Sequence, residues 1–368
     1  MGEFLKKVKV LQVVSKMHQG GIENFLMNVY RKIDTDKVQF DFIVHHKERC
    51  CFEDEIEKLG GKVYHFSVMD DKNLIKYFFE INKFFKEHKE YNIIHAHLAS
   101  IGFIYLFFAK KNGVKIRIAH SHGTAHLNNL KGRIKGILFH LFPFFANYYM
   151  ACSTEAGKFL FPNKTVEIVP NAIEIEKFQF DANIRNDIRN KYNLNDKFVI
   201  INVGRLNLQK NHIFLLRVFR KVVDLNKNAI LVLIGDGEER HNIENEIINL
   251  NLESTVKMLG IQKNVSHFYS ASDVFVMPSF WEGLPVTGVE AQVSGLNCIF
   301  ADTITKEVIV TKQTRFLSLN EKEEKWAEEI LNLNPINRNK IKINNNMFDI
   351  NYLAKYMEEK YIKYNNLK

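Results

Sequence analysis

The chain has 368 residues, 46% of them hydrophobic and 25% charged, with a net charge of +9 and a pI near 9.1. This length accommodates two domains, each with its own core, and the composition excludes disordered, collagen-like and disulfide-scaffold classes. The positive excess points to an anionic partner (nucleotide, nucleic acid or phospholipid surface), and charge alone does not choose between them.

Cys50, Cys51, Cys152 and Cys298 show no zinc spacing, and an adjacent pair is a poor start for a disulfide framework, so a reducing cytoplasm is expected. The first seven residues carry no apolar signal region, and Lys6 stands where a myristoylation motif needs Ser or Thr. The most apolar stretch, residues 137–152, is interrupted by His140, Pro143 and Asn147 and is too short to span a bilayer.

In chain order, short β-branched runs alternate with longer amphipathic stretches, the rhythm of parallel βα units. Strands are predicted over Val8–Val14, Val38–Val44 and residues 62–66, 92–96, 115–119, 147–151 and 165–169. Helical patterns lie over 22–33, 71–88 and 100–111. Pro170-Asn171-Ala172 breaks the rhythm, and the polar stretch 171–196 reads as an interdomain linker. Alternation restarts with strands 197–204, 229–235, 255–259, 273–278 and 297–301 and helices 211–225, 239–250 and 265–271, then a helix opening at Pro285. Residues 332–346 look irregular, and a last helix, placed in a segment 347–368, is expected to pack back on the first domain. The fold class is therefore α/β, with domains at 1–170 and 197–346. Two doubly wound units imply a cleft, and ligands in such folds bind at the carboxyl ends of the strands.

Three loops at such ends carry candidate chemistry. Gly20-Gly21 precedes a helix, where small residues and free N–H groups suit a phosphate, although an ordinary glycine turn has the same composition. Arg205 and Lys210 flank the first loop of the second unit and could hold a diphosphate without a metal; alone, two loop cations are usually only solvated. Glu282 lies before Gly283-Leu284-Pro285, and Glu290 follows in the helix about one and a half turns after its start. Gly235-Asp236-Gly237 reads as a turn holding backbone near the cleft. Asp34-Thr35-Asp36 has a metal-diphosphate spacing but falls at the wrong end of the sheet, as a loop. His95, His97, His120 and His122 cluster at two strand ends, where His95 and His120 read better as structural than as zinc ligands. No hydrolase elbow, zincin helix or Walker loop occurs.

The combination Gly20-Gly21-Ile22-Glu23-Asn24, His95-Ala96-His97, His120-Ser121-His122-Gly123-Thr124, Val169-Pro170-Asn171, Gly204-Arg205-Leu206-Asn207 with Gln209-Lys210-Asn211-His212, Gly235-Asp236-Gly237 and Glu282-Gly283-Leu284-Pro285 with Glu290 spans nearly the whole chain. It resembles glycosyltransferase family 4, of GT-B fold, in its capsular and exopolysaccharide branch. The resemblance implies a retaining enzyme that moves a hexosyl or N-acetylhexosaminyl group from a nucleotide sugar, UDP-linked, to a saccharide acceptor that is lipid-linked. It implies that Glu290 binds ribose, that Glu282 with Gly283 and Leu284 meets the donor sugar, and that Arg205 and Lys210 grip the diphosphate. Gly20 and Gly21 would approach that diphosphate, His122 the outer sugar hydroxyls, and Ile261 and Gln262 the base. Attack on the same face, assisted by the leaving phosphate, belongs to the same implication. No cofactor, metal or nucleic acid is expected. Gly288, Asn297 and Ala172 depart from the branch's pattern and are expected to soften the helix and hinge. A nucleotide-sugar epimerase of the same fold, or a non-catalytic nucleotide-sugar-binding subunit, remains open.

An anionic membrane surface is a further expected partner, with the protein cytoplasmic and peripheral. Lys131, Arg133 and Lys135 precede an apolar run, and Lys76, Lys83, Lys86 and Lys89 are interleaved with aromatic residues. Phe78, Phe79 and residues 138–142 are expected to pack in the first domain's core.

Overall fold

Two separate parallel sheets organise the chain in a computed structural model that describes residues 7–18, 20–66, 73–99, 101–123, 139, 141–334, 336–338, 341 and 343–367. The chain divides into a first unit, Met1–Ile173 with Met347–Lys368, and a second, Glu174–Asn346. The basic segment around Lys131, Arg133 and Lys135 lies outside the described residues.

In the first unit the strands are β1 (Val8–Val14), β2 (Val38–Val44), β3 (Val63–His65), β4 (Ile93–Ala96), β5 (Ile116–Ser121), β6 (Tyr148–Ala151) and β7 (Glu167–Ile168). They lie in the order β3-β2-β1-β4-β5-β6-β7, all parallel. β1 pairs with β2 on one side and β4 on the other, so the winding reverses at β1. Helices cover both faces of such a sheet, which is why its central strands are mostly apolar on both faces. Of the buried polar exceptions, the Asp41 carboxylate on β2 accepts from the Tyr91 hydroxyl and the Lys62 amide, both at 2.7 Å.

The second unit repeats the plan with β8 (Phe198–Val203), β9 (Ala229–Ile234), β10 (Val256–Met258), β11 (Val274–Met277), β12 (Asn297–Ala301) and β13 (Thr314–Leu317). Their order is β10-β9-β8-β11-β12-β13, again parallel, with the reversal at β8. The loops after β8 and β11 therefore flank one crevice at the carboxyl edge, the position where open α/β sheets bind ligands.

Residues 171–196 correct the linker expectation. They contain the helices Ile175–Phe178 and Ala182–Lys191, and from Glu174 onward they belong to the second unit. Asp181 caps the longer helix through the amides of Asn183 and Ile184. Arg185 and Arg189 each reach Asp273, at 2.6 and 2.7 Å, beside the start of β11. The helix is anchored by ion pairs instead of an apolar stripe, so hydrophobic periodicity has little to detect.

β13 and the helix Glu323–Leu331 were not expected either. The terminal helix Ile350–Asn365 lies in the first unit, capped by Asp349, and buries Ile350, Leu353, Ala354, Met357, Tyr361 and Tyr364. Asp34 accepts the Asp36 amide and pairs with Lys37 at 2.9 Å in a loop before β2.

The helix Leu74–Glu87 departs from expectation. Tyr77, Ile81, Phe84 and Phe85 face the core, but Ile75 is 83% and Phe79 68% exposed. Phe78, also exposed, meets Phe108 at a ring separation of 6.1 Å, continuing through Phe107 and Phe145 to the exposed Phe144. Leu141 is also exposed, whereas Phe142 is in the core as expected. Among the described residues no helix is long and apolar enough to cross a membrane.

Candidate active site

In the second unit, backbone geometry brings the loops after β8 and β11 together. Gly235 has φ +137°, and a Cβ there would lie 1.9 Å from the Gly204 carbonyl oxygen, so only glycine lets the turn after β9 pass this close. A Cβ on Gly204 would sit 3.0 Å from Lys210 Cε, so the lysine stem runs across the glycine. Asn207 caps the short turn by accepting from the Lys210 amide at 3.2 Å, and Asn211 adopts the left-handed conformation, φ +56°, before the helix His212–Leu225. Phe280 N–H donates to Gln209 O at 2.9 Å, and the Gln209 amide donates to Trp281 O at 2.7 Å.

These links set Lys210 Nζ 2.6 Å from Glu282 Oε1, with both side chains largely buried. Gln209 Nε2 adds a bond to the other Glu282 oxygen at 3.2 Å. A largely buried cation paired with a carboxylate, which the Gln209 amide steadies through its other oxygen, is a ready anion grip, because an arriving phosphate can take over part of the lysine's charge compensation. Arg205 is 70% exposed and pairs with Glu238 at 3.0 Å. Such a surface pair is worth about 0–1 kcal/mol and is readily given up to a better anion.

Glu290 lies in the helix Val286–Val293, partly buried, with Oε2 3.0 Å from the Tyr269 hydroxyl. Desolvation raises its pKa to about 7, against the opposing effects of the Tyr269 bond and Lys177. Leu284 is buried, Gly283 precedes it in the same loop, Ile261 is exposed, and Gln262 donates to Leu259 O at 2.6 Å. Gly288 and Asn297 have packing reasons. A Cβ on Gly288 would approach the Phe300 ring to 2.8 Å, and the helix runs unbroken through it; Asn297 donates to Asn334 O at 3.0 Å. A cavity of about 420 Å³ at the opposite sheet end, lined by Arg185, Asp273, Asn297 and Arg338, contains none of the expected site residues.

In the first unit Gly20 stands at the N-cap of the helix Gly21–Tyr30, with extended backbone, and Gly21 faces open space. At the carboxyl ends of β4 and β5, the four histidines form two hydrogen-bonded pairs. His97 Nδ1 is 2.8 Å from His122 Nε2, and His97 Nε2 is 3.0 Å from Gln12 Oε1. His95 Nε2 is 3.1 Å from His120 Nδ1, and His95 Nδ1 is 2.7 Å from the Tyr361 hydroxyl. Burial holds His122 down to about 3 and the other three well below the usual imidazole range, so all four rings are neutral.

Among the described residues, two groups have donor atoms close enough to gather a metal: His95, His97 and His120, and separately His18, His46 and Cys50. In the first, both nitrogens of His95 and of His97 are engaged, with Tyr361, His120, His122 and Gln12, and only His120 Nε2 is without a partner among the described residues. In the second, His18 Nδ1 accepts from the Cys51 amide at 3.3 Å, which leaves the proton of a neutral ring on Nε2, not a lone pair. Neither donor set fits a metal as it stands.

Sequence reasoning missed Tyr269 and Gln12, and gave no role to Gln209, although it stands in the motif with Lys210, or to His97 as a link. Gln12 gave a signal, as an amide inside the apolar run Val10-Leu11-Gln12-Val13-Val14.

Comparison with known proteins extends this geometry. Residues 184–347 match the family model for glycosyl transferases group 1. EpsF of Bacillus subtilis (strain 168), named as a glycosyltransferase, is 36% identical over 337 residues, 88% of this chain and 86% of its own. An Escherichia coli UDP-Gal:alpha-D-GlcNAc-diphosphoundecaprenol alpha-1,3-galactosyltransferase is 28% identical over 249 residues, 64% of this chain and 62% of its own. The structure of Anabaena HepE with UDP and glucose superposes with a TM-score of 0.74 at 16% identity, over 97% of each chain. The two doubly wound sheets are those of the GT-B fold. On the strength of the EpsF match and the group 1 family model, the chain belongs to the group 1 glycosyl transferases.

Proposed function

We propose that the protein transfers a hexosyl or N-acetylhexosaminyl group from a UDP-linked donor to a lipid-linked saccharide, retaining anomeric configuration and needing no metal, in capsular or related surface-glycan synthesis. The observation that carries the reading is the Lys210–Glu282 pair, 2.6 Å apart across the two loops at the second unit's strand reversal. In this reading the donor's diphosphate draws Lys210 and Arg205 from their carboxylates, and developing charge on the leaving phosphate strengthens that grip. Glu282, released in part, accepts hydroxyls of the sugar, while Glu290 accepts from the ribose and His122 meets the sugar's outer hydroxyls. Gly20 and Gly21 leave room for the diphosphate, and Ile261 and Gln262 stand beside the base. A carboxylate whose oxygens are engaged by Gln209 and by the sugar's hydroxyls is a poor nucleophile, which favours same-face attack over a covalent glycosyl-enzyme.

Support for the donor and acceptor classes comes from the relatives: one is named for a UDP-linked donor and a diphosphoundecaprenol-linked acceptor, and a structural neighbour holds UDP and glucose. For a lipid-linked acceptor, the exposed Ile75 and Phe79, on the helix that also carries Lys76 and Lys83, would rest on an anionic leaflet of the cytoplasmic face.

The test incubates purified protein with a panel of UDP-sugars, with and without membrane extract. UDP release and a larger lipid-linked saccharide, both requiring extract, are expected. A new nucleotide sugar formed without extract would make the protein an epimerase instead, and binding without turnover in either condition would make it a non-catalytic subunit.

A further inference from the structure

The four neutral histidines are wired in a direction that their hydrogen bonds determine. Gln12 Oε1 can only accept, so His97 must carry its proton on Nε2. A neutral His97 then has a bare Nδ1, which accepts, and His122 must donate from Nε2 across the 2.8 Å contact. That leaves His122 Nδ1 as a lone pair. It is buried and has no hydrogen-bond partner among the described residues.

The second pair runs to a complementary end. With the Tyr361 hydroxyl donating to His95 Nδ1, His95 donates from Nε2 to His120 Nδ1, and His120 finishes on an Nε2–H that is also buried without a partner. All four rings then share the Nε2–H tautomer, the form a neutral imidazole prefers intrinsically. Turning the Gln12 amide over would reverse the His97–His122 pair, putting both rings in the less favoured tautomer and exposing an N–H on His122 instead. The buried amide of Gln12 thus selects what His122 offers.

We propose that Gln12 and His97 are positioning residues that fix His122 as a hydrogen-bond acceptor, its Nδ1 lone pair directed to a hydroxyl of the transferred sugar. The sugar contact rests on the transferase reading above; the tautomer does not. A site whose acceptor is fixed in this way favours a hydroxyl donor and leaves an unpaired lone pair when the sugar lacks that hydroxyl, so the relay acts on donor choice.

Long-range ¹⁵N–¹H spectra of protein labelled at histidine, with His122 assigned through His122→Asn, read the tautomer directly. The free protein should show His122 protonated on Nε2 and bare on Nδ1. Gln12→Leu should mix the His97 and His122 tautomers, and Gln12→Glu, which still accepts, should restore them. An Nδ1–H signal for His122 in the wild type would overturn the proposal, as would an unchanged tautomer in folded Gln12→Leu protein. UDP-glucose, UDP-galactose and UDP-N-acetylglucosamine are then added in turn, with UDP as control. Any that turns over should move the His122 Nδ1 resonance where UDP does not; movement with UDP alone would overturn the sugar contact. In kinetics, Gln12→Leu should lower kcat about tenfold with UDP affinity unchanged, and Gln12→Glu should recover most of it. Failure of all three sugars to bind or turn over, with the predicted tautomer in place, would defeat the transferase reading and the sugar contact while leaving the wiring intact.

Discussion

Glu290 has a pKa of about 7 because desolvation outweighs its bond to Tyr269, and two pH dependences of opposite sign follow. Folding raises this pKa above the unfolded value of 4.5, so the native state holds an extra proton between those values. The group's contribution to stability is therefore full below pH 4.5 and is lost as pH rises through 7. In the proposed reading nucleotide binding runs the other way, since a Glu290 carboxylate would accept from both ribose hydroxyls and the protonated acid would not. UDP affinity, measured by calorimetry, should rise from pH 6 to pH 8 by roughly tenfold, the limit for one proton being tenfold per pH unit. Glu290→Gln should flatten that rise and cost about 1.5–3 kcal/mol of UDP binding at pH 8, the range for a hydrogen bond to a charged group. A variant with the wild-type slope would assign the titration elsewhere. At this scale the sequence was legible where side chains carry fixed charge in a loop. Lys210 and Glu282 could be singled out, but their pairing depends on backbone links through Gln209 and Phe280 that no spacing rule contains.

At the scale of elements, Gly288 illustrates a residue whose reason is tertiary. Sequence reading took it as a soft point in a helix, yet it is there to admit the Phe300 ring, 2.8 Å from where a Cβ would stand. Gly288→Ala should therefore lose about 1–3 kcal/mol by overpacking, despite alanine's better helix propensity. Phe300→Leu should return part of that loss in the double variant, and strictly additive melting temperatures would refute the contact. The helix Leu74–Glu87 is amphipathic in sequence, but its second apolar face was assigned to the core because periodicity reports stripes, not what covers them. Ile75 and Phe79 are uncovered in the structure. Vesicles with anionic lipid should bind the protein in a salt-sensitive way, and Ile75→Ser with Phe79→Ser should weaken that binding several-fold without lowering the melting temperature. Cosedimentation indifferent to lipid charge, to salt and to these changes would remove the membrane docking.

For the whole molecule, the chain's last residues complete the first unit. Tyr361 contacts His95, and Lys360 and Tyr356 both bond Glu167 of β7. Truncation before Met347 should uncover Ile350's and Leu353's packing partners and abolish cooperative unfolding of the first unit, while calorimetry still records a transition for the second. Two intact transitions in the truncated chain would contradict this. The alternation of strands and helices was readable along nearly the full length because parallel strands are apolar runs with a regular helical punctuation. The helix Ala182–Lys191 and the edge strand β13 were not, since one is held by arginine–aspartate pairs and the other is short and half-exposed.

The central claim is that a lysine-based grip, without metal, draws the diphosphate away from the sugar. Donor kcat/KM in excess chelator, for wild type and for Lys210→Ala, tests it most directly, with each protein's fold checked by melting because Glu282 loses its 2.6 Å partner. Full wild-type activity in chelator and a fall on the order of a hundredfold or more in folded Lys210→Ala are predicted. Loss of wild-type activity that magnesium or manganese restores, or a Lys210→Ala enzyme turning over like the wild type, would contradict it.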